Sequence, residues 1–192
     1  RVGSGRKVQH KPLLLLKALI ALGGSEVPEE NISDLLWPDS DGDAAHSAFS
    51  TTLQRLRALI GNDQVLLLDE RRLSLDQRFC WIDAWSFERM HGRAEALWRT
   101  AKEQSGRKRE SIAADAFRQG EKALELYQGY FLPGESGEAW TAAYRERLRS
   151  KFLRLVLEQG LYQEESAQWR KAAETFEQGL ETDELAEEFY QH

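Results

Sequence analysis

His46, Ser47, Ser50, Thr51, Gln54, Arg55 and Arg57 bring short hydrogen-bonding or cationic side chains together in one brief stretch. Through the same stretch Ala45, Phe49, Leu53, Leu56 and Ile60 recur at steps of three and four. That spacing predicts a helix over 43–61 with one apolar stripe and the polar residues mainly off it. Exposed helix faces more often carry Glu and Lys. Donors and acceptors this short let a helix axis approach flat hydrogen-bonding edges, such as those of base pairs in a major groove. Gln54 could pair with adenine, and Arg55 or Arg57 with guanine or a phosphate. Ser47, Ser50 and Thr51 suit phosphate or water-mediated contacts, and a protonated His46 could donate to a phosphate. Arg71 and Arg72, further along, could touch a backbone.

Other chemistries find no matching pattern. Four His and one Cys are scattered without metal-ligand spacing. Gly3-Ser4-Gly5 lacks the strand–turn–helix setting of a phosphate loop. The many carboxylates fall on solvated helix faces. The expectation is a protein that is not an enzyme, with no cofactor and no metal. Cys80 beside Trp81 reads as a structural thiol, since no basic cluster surrounds it.

The chain has 192 residues, 41% of them hydrophobic, which is enough for one large domain or two small ones with a real core. A single cysteine excludes an internal disulfide. No apolar run approaches the roughly 20 residues needed to span a bilayer, and no secretory signal is present. Together these point to the cytoplasm and away from a membrane. The absence of an initial Met suggests a piece of a longer protein. The net charge is −6, but it is polarised: residues 1–11 carry +4 and residues 155–192 carry −8. The acidic end would repel phosphate and orient the other end towards it.

The elements that would position these residues follow from punctuation. Pro12 reads as a helix start, followed by Leu13 to Leu22 and a stop at Gly23-Gly24. Ser25-Glu26-Val27 is a short link. Pro28-Glu29-Glu30 opens a second helix with acids at its positive end, and Pro38 closes it. Asp39 to Gly42 is a turn, Asp43 the expected N-cap of the third helix, and Gly61 its end. Val65–Leu68 and Leu73–Leu75 then read as strands joined by Asp69-Glu70-Arg71-Arg72 in a hairpin. Three helices and a hairpin give the order of a winged helix-turn-helix. Residues 89–192 are almost wholly helical in pattern. Within them Gly160, Ala172 and Phe176 match the small and aromatic positions of one tetratricopeptide repeat, with Glu184 where that repeat usually has Pro. Leu185, Phe189 and Tyr190 would begin a further helix.

These motifs resemble a known family. Lys11-Pro12-Leu13-Leu14-Leu15-Leu16-Lys17, Leu35-Leu36-Trp37-Pro38 and Leu53-Gln54-Arg55-Leu56-Arg57 are similar to the OmpR-type winged helix of antibiotic-regulatory-type transcriptional activators. Trp81 to Glu88 resembles the junction into their bacterial transcriptional activator domain. Leu124 to Pro133, with Trp140 and Arg145-Glu146-Arg147-Leu148, resembles the body of that domain. The likeness runs from about Lys11 to the end and looks most like the activator module of large ATP-dependent bacterial regulators. Two departures stand out: residues 1–88 hold ten basic against thirteen acidic side chains, and Glu70-Arg71 occupies a wing tip where relatives often have Gly. Little sequence precedes Lys11, so the sheet at the amino-terminal end of this winged helix would be short or missing.

The expected fold is mainly α: a winged helix-turn-helix with a β-hairpin wing over 1–84, then a tetratricopeptide-like activator domain over 85–192, truncated or not at its C-terminus. The resemblance implies a sequence-specific DNA-binding transcriptional regulator working in signal transduction, with the third helix in the major groove and the wing on the backbone. It also implies that the helical domain serves self-association, RNA polymerase contact or regulation by other domains of a larger parent chain. Double-stranded DNA and a homo-oligomer are the expected partners. The alternative is a protein-interaction module whose winged helix does not bind DNA, a reading the acidic balance favours.

Overall fold

The computed structural model describes residues 5–134, 139–183 and 189, with side chains from residue 10 onward. It is mainly helical, with one small antiparallel sheet. The chain divides into two units. The first is Arg1–Trp81, with which Glu138–Thr141 group; the second is Ile82–Gly137 and Ala142–His192.

The first unit holds α1 (Gly5–Ala21), β1 (Val27–Pro28), α2 (Glu29–Leu36) and α3 (Gly42–Ile60). A 3-10 turn (Asp63–Val65), β2 (Leu66–Asp69) and β3 (Arg72–Leu75) follow. Its core is what the apolar spacing demands. Leu15 and Leu19 of α1, Ile32 and Leu36 of α2, and Phe49, Leu53 and Leu56 of α3 are buried together with Leu66 and Leu73 of the hairpin. Helix α1 packs on both α2 and α3.

The strands run Leu66–Asp69 and Arg72–Leu75, where the sequence predicts Val65–Leu68 and Leu73–Leu75, because Val65 belongs to the 3-10 turn and Asp69 pairs with Arg72. Three further boundaries differ from the sequence expectation. Pro12 lies inside α1, which begins at Gly5. A proline withdraws one donor and crowds the carbonyl four residues back, so the sequence rule stops a helix there; here only the first two turns precede it. The cap of α3 is Asp41, not Asp43: the Ala44 N–H donates to Asp41 Oδ1 at 2.8 Å. A cap must stand outside the helix with its oxygen over the third helical residue, and Asp43 is already in the first turn. Finally, Val27, expected in the link, and Pro28, expected to open the second helix, form a third strand. It pairs with β3 (Val27 with Leu73, Pro28 with Arg72), giving the order β1-β3-β2. Two residues, one of them proline, leave no alternation to detect.

The hairpin turn has two central residues, Glu70 and Arg71, at φ 42° and 60°. Positive φ at both positions marks a type I′ turn, whose twist suits a two-residue hairpin. Neither is glycine, so the tip carries the left-handed strain that non-glycine residues incur.

In the second unit α4 (Asp83–Lys102) and α5 (Gly106–Leu126) pack closely through small residues, among them Ala94, Ala101, Ala113, Ala116 and Ala123. Helix α4 starts upstream of residue 89 and takes in Asp83 to Glu88 of the junction motif. Helices α6 (Ala139–Glu165) and α7 (Trp169–Thr182) complete the described part. Tyr127 stacks on Phe152 at 4.2 Å between ring centres. A side chain at Gly160 would fall inside the Phe176 ring, so α6 and α7 approach as closely as the glycine allows. The Glu184 position and the helix expected from Leu185 lie outside the described residues, apart from Phe189, which is buried beside Gly179.

Candidate nucleic-acid interface

The polar side chains of α3 sort by azimuth. At 100° per residue, His46, Ser50 and Arg57 share one flank beside the buried stripe. Ser47, Thr51 and Gln54 share the apex opposite that stripe, and Arg55 lies on the far flank. Burial follows this sorting except at His46, which is exposed. Ser50 and Arg57 are half-buried, whereas Ser47, Thr51, Gln54 and Arg55 are exposed, and their side chains hydrogen-bond to no other described residue. Thr52, next to Thr51 in sequence, points into the core at 6% exposure.

The flank of His46 and Arg57 is engaged by the rest of the unit. Arg57 Nη2 donates to the Leu66 carbonyl of β2 at 3.0 Å. His46 Nδ1 donates to Glu29 Oε1 at 2.6 Å, and Arg71 Nη2 meets the same oxygen at 3.3 Å. The Glu29 side chain is 3% exposed, against 54% for His46 and 71% for Arg71. The Glu29 N–H also donates to the Arg71 carbonyl at 2.8 Å. Glu29 thus holds the hairpin tip by both backbone and side chain, while reaching the amino-terminal half of α3. Its carboxylate sits in the first turn of α2, where the helix dipole favours a negative charge. Arg72 Nη1 donates to the Glu26 carbonyl at 3.1 Å.

Sequence reasoning missed this role of Glu29. It reads as one of two equivalent acids opening α2, yet Glu30 is exposed and Glu29 is not. Nothing in the pattern separates them, because the difference arises from the strand pairing of Pro28.

Beside this carboxylate lies an open cleft of about 450 Å³ between α2, the start of α3 and the hairpin tip. Glu29, Glu30, Asp34 and Glu70 line it, against His46, Arg71 and Arg72. This end of the face is therefore not a positive surface. The exposed hydrogen-bonding apex and the unpaired cation Arg55 lie along the remaining length of α3.

Lys11 has its own ties: Nζ donates to the Leu36 carbonyl at 2.8 Å and sits 5.6 Å from the centre of the half-buried Trp37 ring. The Cys80 thiol donates to the Asp76 carbonyl, and burial pushes its pKa up, away from reactivity. Among the described residues no group of three His, Cys, Asp or Glu could hold a metal ion, and no helix is long and apolar enough to cross a membrane.

The second unit carries a denser polar network. Glu88 of α4 takes Lys151 Nζ at 2.7 Å and Arg147 Nε at 3.1 Å, and accepts from the Tyr144 hydroxyl at 3.3 Å. Arg154 pairs with Glu95 at 3.0 Å. Arg145 Nε donates to the Phe131 carbonyl at 2.7 Å and Nη2 to the Leu132 carbonyl, which fixes the Tyr130 to Pro133 segment on α6. Two of the motif's separate sequence pieces are thus one hydrogen-bonded corner. No protein-family model matches this sequence, and no curated protein is similar to it at a significant level.

Proposed function

We propose that the chain is a DNA-binding transcriptional regulator, a winged helix followed by a tetratricopeptide-like activator domain. The observation that carries this reading is the meeting of α3 and the hairpin tip on one carboxylate. Through Glu29, His46 of the helix and Arg71 of the hairpin are held together, as a groove-reading helix and a backbone-touching wing require. The apex of Ser47, Thr51 and Gln54 would face base edges. Arg55 and Arg71 would make phosphate contacts, while Arg57 sets the helix against β2 and Arg72 ties the hairpin to the Glu26 carbonyl. The close approach of α6 and α7 at Gly160 and Phe176 supports a tetratricopeptide-like hairpin. In this reading the second unit serves self-association, RNA polymerase contact or control by other domains, and binding occurs as an oligomer on repeated half-sites, because one module supplies few contacts.

A second reading is a protein-interaction module whose winged helix does not bind DNA. The acidic lining of the cleft by Glu29, Glu30, Asp34 and Glu70 favours it. Selection of duplexes from a random DNA pool at physiological salt decides between them. An enriched motif supports the regulator and gives the half-site spacing. No enrichment refutes sequence-specific recognition by this chain and favours the interaction module.

A further inference from the structure

Gln159 of α6 is 1% exposed, and neither its Oε1 nor its Nε2 hydrogen-bonds to a described residue. Buried amides are almost always paired, so a fully orphaned one calls for a partner that the described residues do not supply. The carboxamide lies over Gly120 of α5, where any side chain would overlap it. A helix-interior glycine is unfavourable, and this one leaves room for the amide. Above it runs a groove of about 290 Å³ between α5, α6 and α7. Thr175 Oγ1 donates to Gln163 Oε1 at 2.8 Å and fixes one wall. The charged residues lining the groove are two exposed acids, Glu121 and Glu125.

We propose that this groove binds an extended peptide segment bearing lysine or arginine, paired through its backbone with the Gln159 carboxamide. A primary amide offers one acceptor oxygen and donor hydrogens side by side. A residue in extended conformation presents its own N–H and C=O on the same side, as in an antiparallel hydrogen-bonded pair. One residue of such a segment satisfies both orphaned atoms once the carboxamide swings from over Gly120 towards the groove. Alternate side chains of the segment lie on one face, so basic ones reach Glu121 and Glu125 together. The same two carboxylates repel nucleic acid. This proposal is independent of the reading of α3 and holds whether or not the chain binds DNA.

The test is a titration of the full chain with a short capped peptide of alternating lysine and alanine, followed by NMR. The Gln159 side-chain amide and the Gly120 backbone amide are expected to shift. Gln159→Leu should weaken binding about tenfold or more, with the melting temperature of the free protein unchanged or raised. The double variant Glu121→Gln with Glu125→Gln, both on the surface, should also weaken it and keep the fold. Four results would overturn the proposal: no shift with the peptide, equal shifts with an alternating glutamate–alanine peptide, wild-type affinity in Gln159→Leu, or a lowered melting temperature in that variant, which would make the amide a structural group satisfied by water.

Discussion

Arg55 and Arg57 are two residues apart in sequence and should behave as opposites when each is replaced by alanine. Arg57 donates to the Leu66 carbonyl at 3.0 Å and is half-buried along its stem. A hydrogen bond from a charged donor contributes about 1.5–3 kcal/mol, and the buried stem adds packing. Against this, Arg57 Nε is buried without a partner among the described residues, and truncation relieves that cost. The net loss for Arg57→Ala is then about 1–2 kcal/mol. With a urea slope of about 2 kcal/mol per molar for a small domain, the midpoint falls by roughly 0.5–1 M. Arg55 is exposed and makes no hydrogen bond or ion pair with a described residue, so Arg55→Ala should stay within about 0.5 kcal/mol of the parent. In the proposed DNA binding the order should reverse. Arg55→Ala should lose one phosphate contact and flatten the slope of log affinity against log salt by about 1. The assays are urea unfolding followed by amide exchange of the hairpin, and duplex binding across a salt series. If Arg55→Ala destabilises the hairpin as much as Arg57→Ala, or if only Arg57→Ala changes the salt slope, the assignment of the two flanks of α3 is wrong.

Three further outcomes follow from other residues. Glu29→Gln removes the carboxylate shared by His46 and Arg71; both partners are largely exposed, so the stability loss should be about 1 kcal/mol, while the freed Arg71 should steepen the salt slope of DNA binding by about 0.9, which salt-series binding reads directly. His91, 3% exposed, has its pKa held below the ordinary 6.5 by burial first; Lys151 and Arg154 push it the same way, and Glu95 and Glu88 oppose. Folding therefore disfavours the protonated ring, so the stability is present above about pH 6.5 and falls as pH drops below it, by at most about 1.4 kcal/mol per unit. His91→Leu should flatten that limb in unfolding measured across pH, and an unchanged limb would assign it to other groups. Gly160→Ala drives a methyl into the Phe176 ring and should cost about 1–3 kcal/mol by thermal unfolding; a neutral result would mean that α6 and α7 can part at little cost.

What could be read in the sequence was whatever repeats. The stripe of Ala45, Phe49, Leu53 and Leu56 located α3 and its polar face, because a helical period is a statement about every third or fourth residue at once. Gly61 located the end of α3, since a left-handed C-cap at φ 71° has a residue preference. Single-residue decisions were not legible. Asp41 and Asp43 are chemically alike, and only the helix start tells which one caps. Glu29 and Glu30 are alike too, and the pairing of Pro28 with Arg72 decides which is buried. Arg55 and Arg57 look equivalent until azimuth puts them on opposite flanks. Gln159 carried no signal at all: its burial depends on Gly120, a residue of another helix.

The charge on the first unit constrains how the proposed interface could be used. Near the start of α3 the acids Glu29, Glu30, Asp34 and Glu70 share the cleft with cations that are already paired or bonded to carbonyls. A phosphate chain approaching there meets repulsion at short range. Along the rest of α3, Arg55 is exposed and no described residue pairs with it. A duplex laid against the helix would therefore settle towards Arg55 and the Thr51–Gln54 apex, and the wing would contribute only as far as Arg71 leaves Glu29. Affinity would then be low for one module, and Glu29 would act as a brake whose release depends on the strength of the competing phosphate. Glu29→Gln and Arg55→Ala should consequently couple when combined. With the brake gone, the wing takes part of the load, so losing Arg55 should cost less affinity in the Glu29→Gln background than in the parent. Strict additivity of the two changes across the salt series would show that α3 and the hairpin act separately and that the shared carboxylate has no part in binding.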